Sequence, residues 1–355
     1  MTSSTAPKKL LYEVSIIRPI IIFLLVVLHA FSNVGRWIHG GGVVYLNEYQ
    51  NVTAYWWVCR LIAGFMLEAF ALVAGYVFAY QCFDLKRSYK FWPFVVKKFK
   101  RLIIPMLFFG VLYYFCYIYP VTGFSVKDFL SRLSSGCGHL WFLPMLFWCF
   151  LAIWFIDKYH LSSWLTLLLL AGISIIPIPI LPLGLTQLFH FVFYVYAGYL
   201  LWTKRAYLFS HCLKYNYIIL FWGLYIILVI VKNALLPETS AEMSYWQKIM
   251  VYGVTGTTKL LMSCFGIMAL YLTVCKTTTK EGYRPKQWVI NASNDCYGVY
   301  VYHQFILVFL YFYTPFVSMC GRYWVPWIGL LLALGISLLL TKLTLKTKFG
   351  RFLIG

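Results

Sequence analysis

"RPIIIFLLVVLH", residues 18 to 29, places an arginine and a histidine at the two ends of ten uncharged residues. It lies inside an apolar run from about residue 14 to 34, and a bilayer core of about 30 Å asks for about 20 such residues per helix. Outward from this stretch, similar runs tile nearly the whole chain. Of the 355 residues, 62% are hydrophobic, 21% are aromatic and only 11% are charged, which is more apolar surface than a soluble domain of this length can hide. The sequence therefore predicts an all-α integral membrane protein. A single membrane domain is expected over residues 1–355, with no separate soluble domain.

Ten spans are expected, at about 14 to 34, 55 to 80, 102 to 120, 139 to 156, 162 to 180, 186 to 203, 216 to 232, 250 to 275, 291 to 313 and 323 to 341. Pro177, Pro179 and Pro182 cut the uncharged stretch 159–203 into a hairpin. With both termini cytoplasmic, most of the 30 Lys and Arg residues fall in inner segments, as basic residues do in membrane proteins. The formal charge of +20 is thereby explained by topology and by anionic lipid headgroups, and no nucleic acid is implied. Lys8, Lys9 and Arg18 before an apolar run imitate a signal peptide, but the run is long enough to span and lacks a small-residue cleavage site, so it reads as a retained helix. The ten cysteines show no metal-ligand spacing; neither a metal nor a disulfide is expected.

Ionisable groups are costly in lipid and tend to face a bundle interior or a water-filled cavity. The expected spans contain His29, Arg60, Glu68, His139, His190, Lys259, Asp295 and His303. Eleven positions at about 100° per residue bring Arg18 and His29 to one helical face, about 16 Å apart along the axis. Arg18 alone reads equally as a snorkelling anchor, and His29 alone as an interhelical hydrogen-bond partner. His303 is expected at the same depth as His29, which suggests a polar chamber suited to proton transfer. In the inner loop "KRSYKFWPFVVKKFKRLIIP", residues 86 to 105, Lys98 and Arg101 are neighbours if the segment is helical. Such a basic edge suits phosphate, although it also serves as a topology determinant. Arg60 and Glu68, eight residues apart on one face of the second span, read as a buried pair or as the lining of an outward cavity.

Five stretches in one order resemble the membrane-bound acyltransferase 3 family: Arg18 to His29, "FALVAGYVFAY" (70–80), "KKFKRLIIP" (97–105), "HLWFLPMLF" (139–147) and "SNDCYGVYVYH" (293–303). Ala74 and Cys296 stand where that family usually has serine, and both look like packing positions. Lys98 replaces a frequent arginine, which keeps the charge and loses the bidentate fork.

The resemblance implies transfer of an acyl group, usually acetyl, from cytoplasmic acyl-CoA (acetyl-CoA) to a hydroxyl of an envelope or exported glycan, in a bacterial inner membrane. Arg18, Lys98 and Arg101 would bind the donor. His29 would act as general base or transient acyl carrier, with His303, Glu68 or Asp295 holding its tautomer. The same family has members assigned to export, so a polysaccharide or lipid-linked sugar exporter is the alternative. No inverted repeat or pair of broken helices of the transporter kind is visible. Outer loops at about 35 to 54, 121 to 138 and 233 to 249 carry aromatics compatible with sugar stacking.

Overall fold

A computed structural model describes residues 11–32, 52–179, 181–236 and 243–355. The outer loop expected at about 35 to 54 lies largely outside the described residues, and that at 233 to 249 lies outside them only at 237–242. Among the described residues every regular element is helical: α1 (Tyr12–Phe31), α2 (Thr53–Ala63), α3 (Met66–Phe83), α4 (Phe91–Lys98), α5 (Ile104–Tyr113), α6 (Tyr119–Thr122), α7 (Val126–Ser134), α8 (Phe142–Lys158), α9 (Trp164–Ile175), α10 (Leu185–Cys212), α11 (Tyr215–Ile230), α12 (Tyr245–Thr278), α13 (Gln287–Tyr313), α14 (Phe316–Lys346) and α15 (Lys348–Ile354). Short π-helical turns join α4 to α5 and α5 to α6 and extend α11, and a 3₁₀ turn, Gly138–Trp141, leads into α8.

Among the described residues, eight helices are long and apolar enough to cross a membrane. The other two of the ten expected spans fall on α9 and α10. With 12 residues, α9 is about 18 Å long, short of the bilayer core, and the chain beyond it leaves the helix through Pro177 and Pro179. Although α10 has 28 residues, Gln187, His190 and several tyrosines dilute its hydropathy, because it is an interior helix.

The centre of the bundle is the pair α3 and α10. A Cβ added at Gly75 would lie 1.7 Å from the Val195 carbonyl oxygen, and one at Gly198 would lie 1.9 Å from that of Leu72. The two backbones are therefore in contact, the arrangement that small residues permit where no hydrophobic force drives helices together in lipid. Around this pair, α1 packs against α13, α14, α3 and α12. Tyr76 on α3 fixes the start of α1 by donating to Glu13 Oε1 at 2.7 Å.

The expected second span is broken. The Phe65 amide turns back to the Ile62 carbonyl, the Leu61 carbonyl is taken instead by the Tyr225 hydroxyl, and Phe65 leaves the helical region at φ −149°. Two turns of continuous helix were the premise for pairing Arg60 with Glu68. The break removes it, and Glu68 pairs with Lys259 on α12 at 3.7 Å.

Candidate active site

Pro105 lacks the N–H that would satisfy the Arg101 carbonyl four residues earlier. The chain answers with a π-helical turn, Phe99–Ile103, and the Tyr297 hydroxyl on α13 donates to the freed carbonyl at 3.1 Å. The same tyrosine ring lies 4.9 Å from the Arg101 guanidinium, a cation–π contact. Lys98, one turn earlier, lies over the Phe150 ring of α8, its Nζ 3.1 Å from the centroid. Aromatic faces thus hold both basic side chains in place, and neither has an ion-pair partner among the described residues.

Lys98, Arg101 and Arg18 line one cavity of about 600 Å³, within the range of small-molecule sites. From these cations the lining continues along α1 through Ile22 and Leu25, and along α13 through Ser293, Cys296, Tyr297 and Tyr300. The apolar wall opposite includes Val73 and Phe142. Charge is confined to one end, and the rest is a slot suited to an uncharged chain. The α1 residues at 18, 22 and 25 form a single stripe whose next member is His29.

The lining stops at Leu25 and Tyr300, one helical turn before His29 and His303. There His29 Nδ1 and His303 Nε2 are 2.9 Å apart, the rings stacked with centroids 5.0 Å apart. The register is fixed just beyond, where the Tyr311 hydroxyl donates to the Ala30 carbonyl at 2.9 Å. Both contacts rise in number along both chains, so α1 and α13 run parallel and the common depth expected for the two histidines holds.

The tautomers follow from the partners. His303 Nδ1 faces only carbonyl oxygens, those of Tyr300 at 2.7 Å and Val299 at 3.1 Å, so it carries the proton. In the neutral pair His303 Nε2 is then the acceptor, His29 Nδ1–H donates to it, and His29 Nε2 keeps its lone pair. His303 is wholly buried at 0% exposure, whereas His29 is half-buried. Only His29 is placed to meet a second molecule.

A third imidazole adjoins them. His139, on the 3₁₀ turn, has its ring centroid 5.2 Å from that of His303. Its Nε2 donates to the Val301 carbonyl at 3.0 Å, and its own carbonyl accepts from the Tyr300 hydroxyl at 2.7 Å. The turn that delivers it, Gly136-Cys137-Gly138, has three successive positive φ values, and a Cβ at Gly136 would lie 2.5 Å from the Trp141 nitrogen.

A family model described as an acyltransferase domain matches residues 11–345. The chain belongs to this acyltransferase family. With its membrane-spanning helices, it is an integral membrane acyltransferase in general kind. No curated protein and no solved structure matches it significantly.

Set against the family's motifs, the geometry brings together Arg18, Lys98 and Arg101 at the cavity, and His29 with His303 beyond its end. Glu68 is elsewhere: it is buried, its ion-pair partner is Lys259, and no contact with either histidine occurs among the described residues. Asp295 likewise makes no contact with the histidine pair. Ala74 and Cys296, read above as packing positions, line the cavity, so the two missing hydroxyls make its wall less polar. Sequence reasoning passed over Tyr297, Tyr300 and Phe150. A signal for the tyrosines was present, since 293, 296/297, 300 and 303 repeat at helical spacing on one face of α13.

Proposed function

We propose that this acyltransferase moves an acyl group, acetyl in the simplest case, from acyl-CoA to a hydroxyl of an envelope glycan, with His29 as the general base. The observation that carries the reading is the histidine pair: a half-buried imidazole whose second nitrogen is fixed by a wholly buried partner. The family supplies acyl transfer as the reaction class. The cavity supports the donor, because three cations at one end suit coenzyme A phosphates and the apolar slot suits its uncharged arm. From Arg18 to His29 the stripe rises about 16 Å, a reach that such an arm matches.

In this scheme the acceptor hydroxyl lies against His29 Nε2 and gives up its proton as its oxygen attacks the thioester carbonyl. The C–S bond breaks, the O–acyl bond forms, and the proton passes from His29 to the departing thiolate. His303 stabilises the intervening imidazolium by accepting from Nδ1–H, as the orienting member of a catalytic pair does. Two sides of the membrane are served because the cavity mouth lies at the Arg18 end of α1 and the histidine is about three turns further along. In this reading the mouth faces the cytoplasm from a bacterial inner membrane, the side on which a loop rich in Lys and Arg belongs.

Purified membranes containing the protein, supplied with radiolabelled acetyl-CoA and the glycan of the producing cells, test this. His29→Ala should remove labelled ester from the glycan while the protein still inserts. Normal labelling in that variant sinks the assignment.

A further inference from the structure

At the end of the bundle opposite the cations of the donor cavity, α2, α11 and α12 meet at Gly64. A Cβ there would lie 2.6 Å from the Tyr225 hydroxyl and 3.2 Å from Met262 Cε. The helices have definite senses: Phe65 packs on both Trp222 and Tyr225, and the Trp222 indole donates to Thr273 Oγ1 at 3.2 Å. Hence α11 is antiparallel to α2 and to α12. Arg60 lies four residues before Gly64, Lys232 seven after Tyr225, and Lys259 three before Met262. All three steps run in the same direction along the bundle, away from the donor cavity. Steps of three, four and seven return to the same helical face, so the cations rise from one contact point, over about 5 to 10 Å. Lys232 lies in the field of Lys259 and Arg60, and of the Glu68 carboxyl.

Their compensation is incomplete. Glu68, 3% exposed, pairs with Lys259 through Oε1 at 3.7 Å, and its buried Oε2 has no hydrogen-bond partner. Among the described residues Arg60 and Lys232 have no ion-pair partner. Among the described residues the cluster thus carries three cations and one carboxylate beside an apolar wall, an excess of positive charge that is costly without a counter-charge. The surroundings decide where it comes from. The span containing α11 is only 17% buried and presents Ile226, Ile230 and Leu235 outward, as a lipid-facing helix does. Lys259 has 51% of its side chain exposed, and the Arg60 guanidinium lies 4.9 Å from the ring of the exposed Trp56.

We propose that Arg60, Lys232 and Lys259 form a binding site for the phosphate headgroup of a membrane amphiphile that enters sideways from the bilayer past α11. An excess of two positive charges among the described residues favours a phosphate monoester or a diphosphate over a singly charged diester. Glu68 holds Lys259 through Oε1 from the buried side. None of this depends on the acyl-transfer reading, because no residue is shared with the donor cavity or the histidine pair.

The test uses the full chain in detergent, with bound lipid counted by native mass spectrometry. Dioctanoyl phosphatidic acid is the probe, dioctanoyl phosphatidylcholine the zwitterionic comparison, and inorganic phosphate the water-soluble competitor. Phosphatidic acid should bind, and Lys232→Gln with Lys259→Gln should weaken it about ten-fold or more, since two charge-assisted contacts are lost. The double Arg variant should retain it, and unchanged thermal unfolding shows that the fold is intact. Should the Gln pair fail to fold, the exposed Arg60→Gln variant carries the same expectation in weaker form. Equal binding of phosphatidylcholine, displacement by an equal concentration of inorganic phosphate, or undiminished affinity in the folded variants would each overturn the proposal.

Discussion

If His303 acts only by orienting His29, removing both should cost no more than removing His29 alone. His303→Ala deletes the acceptor of a hydrogen bond 2.9 Å long, worth about 0.5–1.5 kcal/mol. It also frees the His29 ring, whose immobilisation is worth about 0.5–1.5 kcal/mol more. Together these give about 1–3 kcal/mol, or roughly 5- to 150-fold in rate. His29→Ala deletes the base itself and should cost about 10²- to 10⁴-fold. Because the two residues act as a unit, their effects should not multiply. The assay is the initial rate of label transfer from acetyl-CoA to glycan for the wild type, both single variants and the double variant, each at matched protein level and with its unfolding temperature recorded. A double variant slowed by the product of the single factors would refute the reasoning, since His303 would then act on the substrate independently.

Lys98→Gln combined with Arg101→Gln should weaken coenzyme A binding by roughly 10- to 100-fold, the lower figure reflecting solvent screening at an exposed mouth; unchanged affinity in equilibrium dialysis would reduce both to topology markers. Gly198→Ala should destabilise the bundle by about 1–3 kcal/mol or more, because its Cβ would meet the Leu72 carbonyl at 1.9 Å. Gly172→Ala on α9, where nothing lies within 4 Å, should instead stabilise by about 0.5–1 kcal/mol. Thermal unfolding in detergent checks both.

The fold class was legible because lipid imposes a coarse and strong rule, helices of a minimum apolar length, and the chain obeys it in eight places. Exceptions arose where packing overrides length. α9 could be short because polypeptide beyond it continues through a proline-rich segment. The second span broke at Phe65, where Tyr225, 160 positions further along, takes a backbone carbonyl that the helix would otherwise use. No local pattern announces a partner so distant in sequence. The same break made the Arg60 and Glu68 spacing misleading, since helical periodicity carries no information across a change in backbone direction.

The site divides in the same way. Arg18 and His29 share an unbroken helix, so their spacing translated directly into the stripe that continues through Ile22 and Leu25. Pairing His29 with His303 required only that two spans start on one side, which loop charge supplies. By contrast, which of the two imidazoles reacts depends on three-dimensional facts: which Nδ1 meets carbonyl oxygens and which ring is wholly buried. A sequence holds two equivalent histidines; the packed structure makes one a fixed acceptor and leaves the other a free nitrogen. A single hydrogen bond between two neutral imidazoles always leaves one lone pair over; what the packing adds is that this lone pair sits on the half-buried ring and not on the wholly buried one.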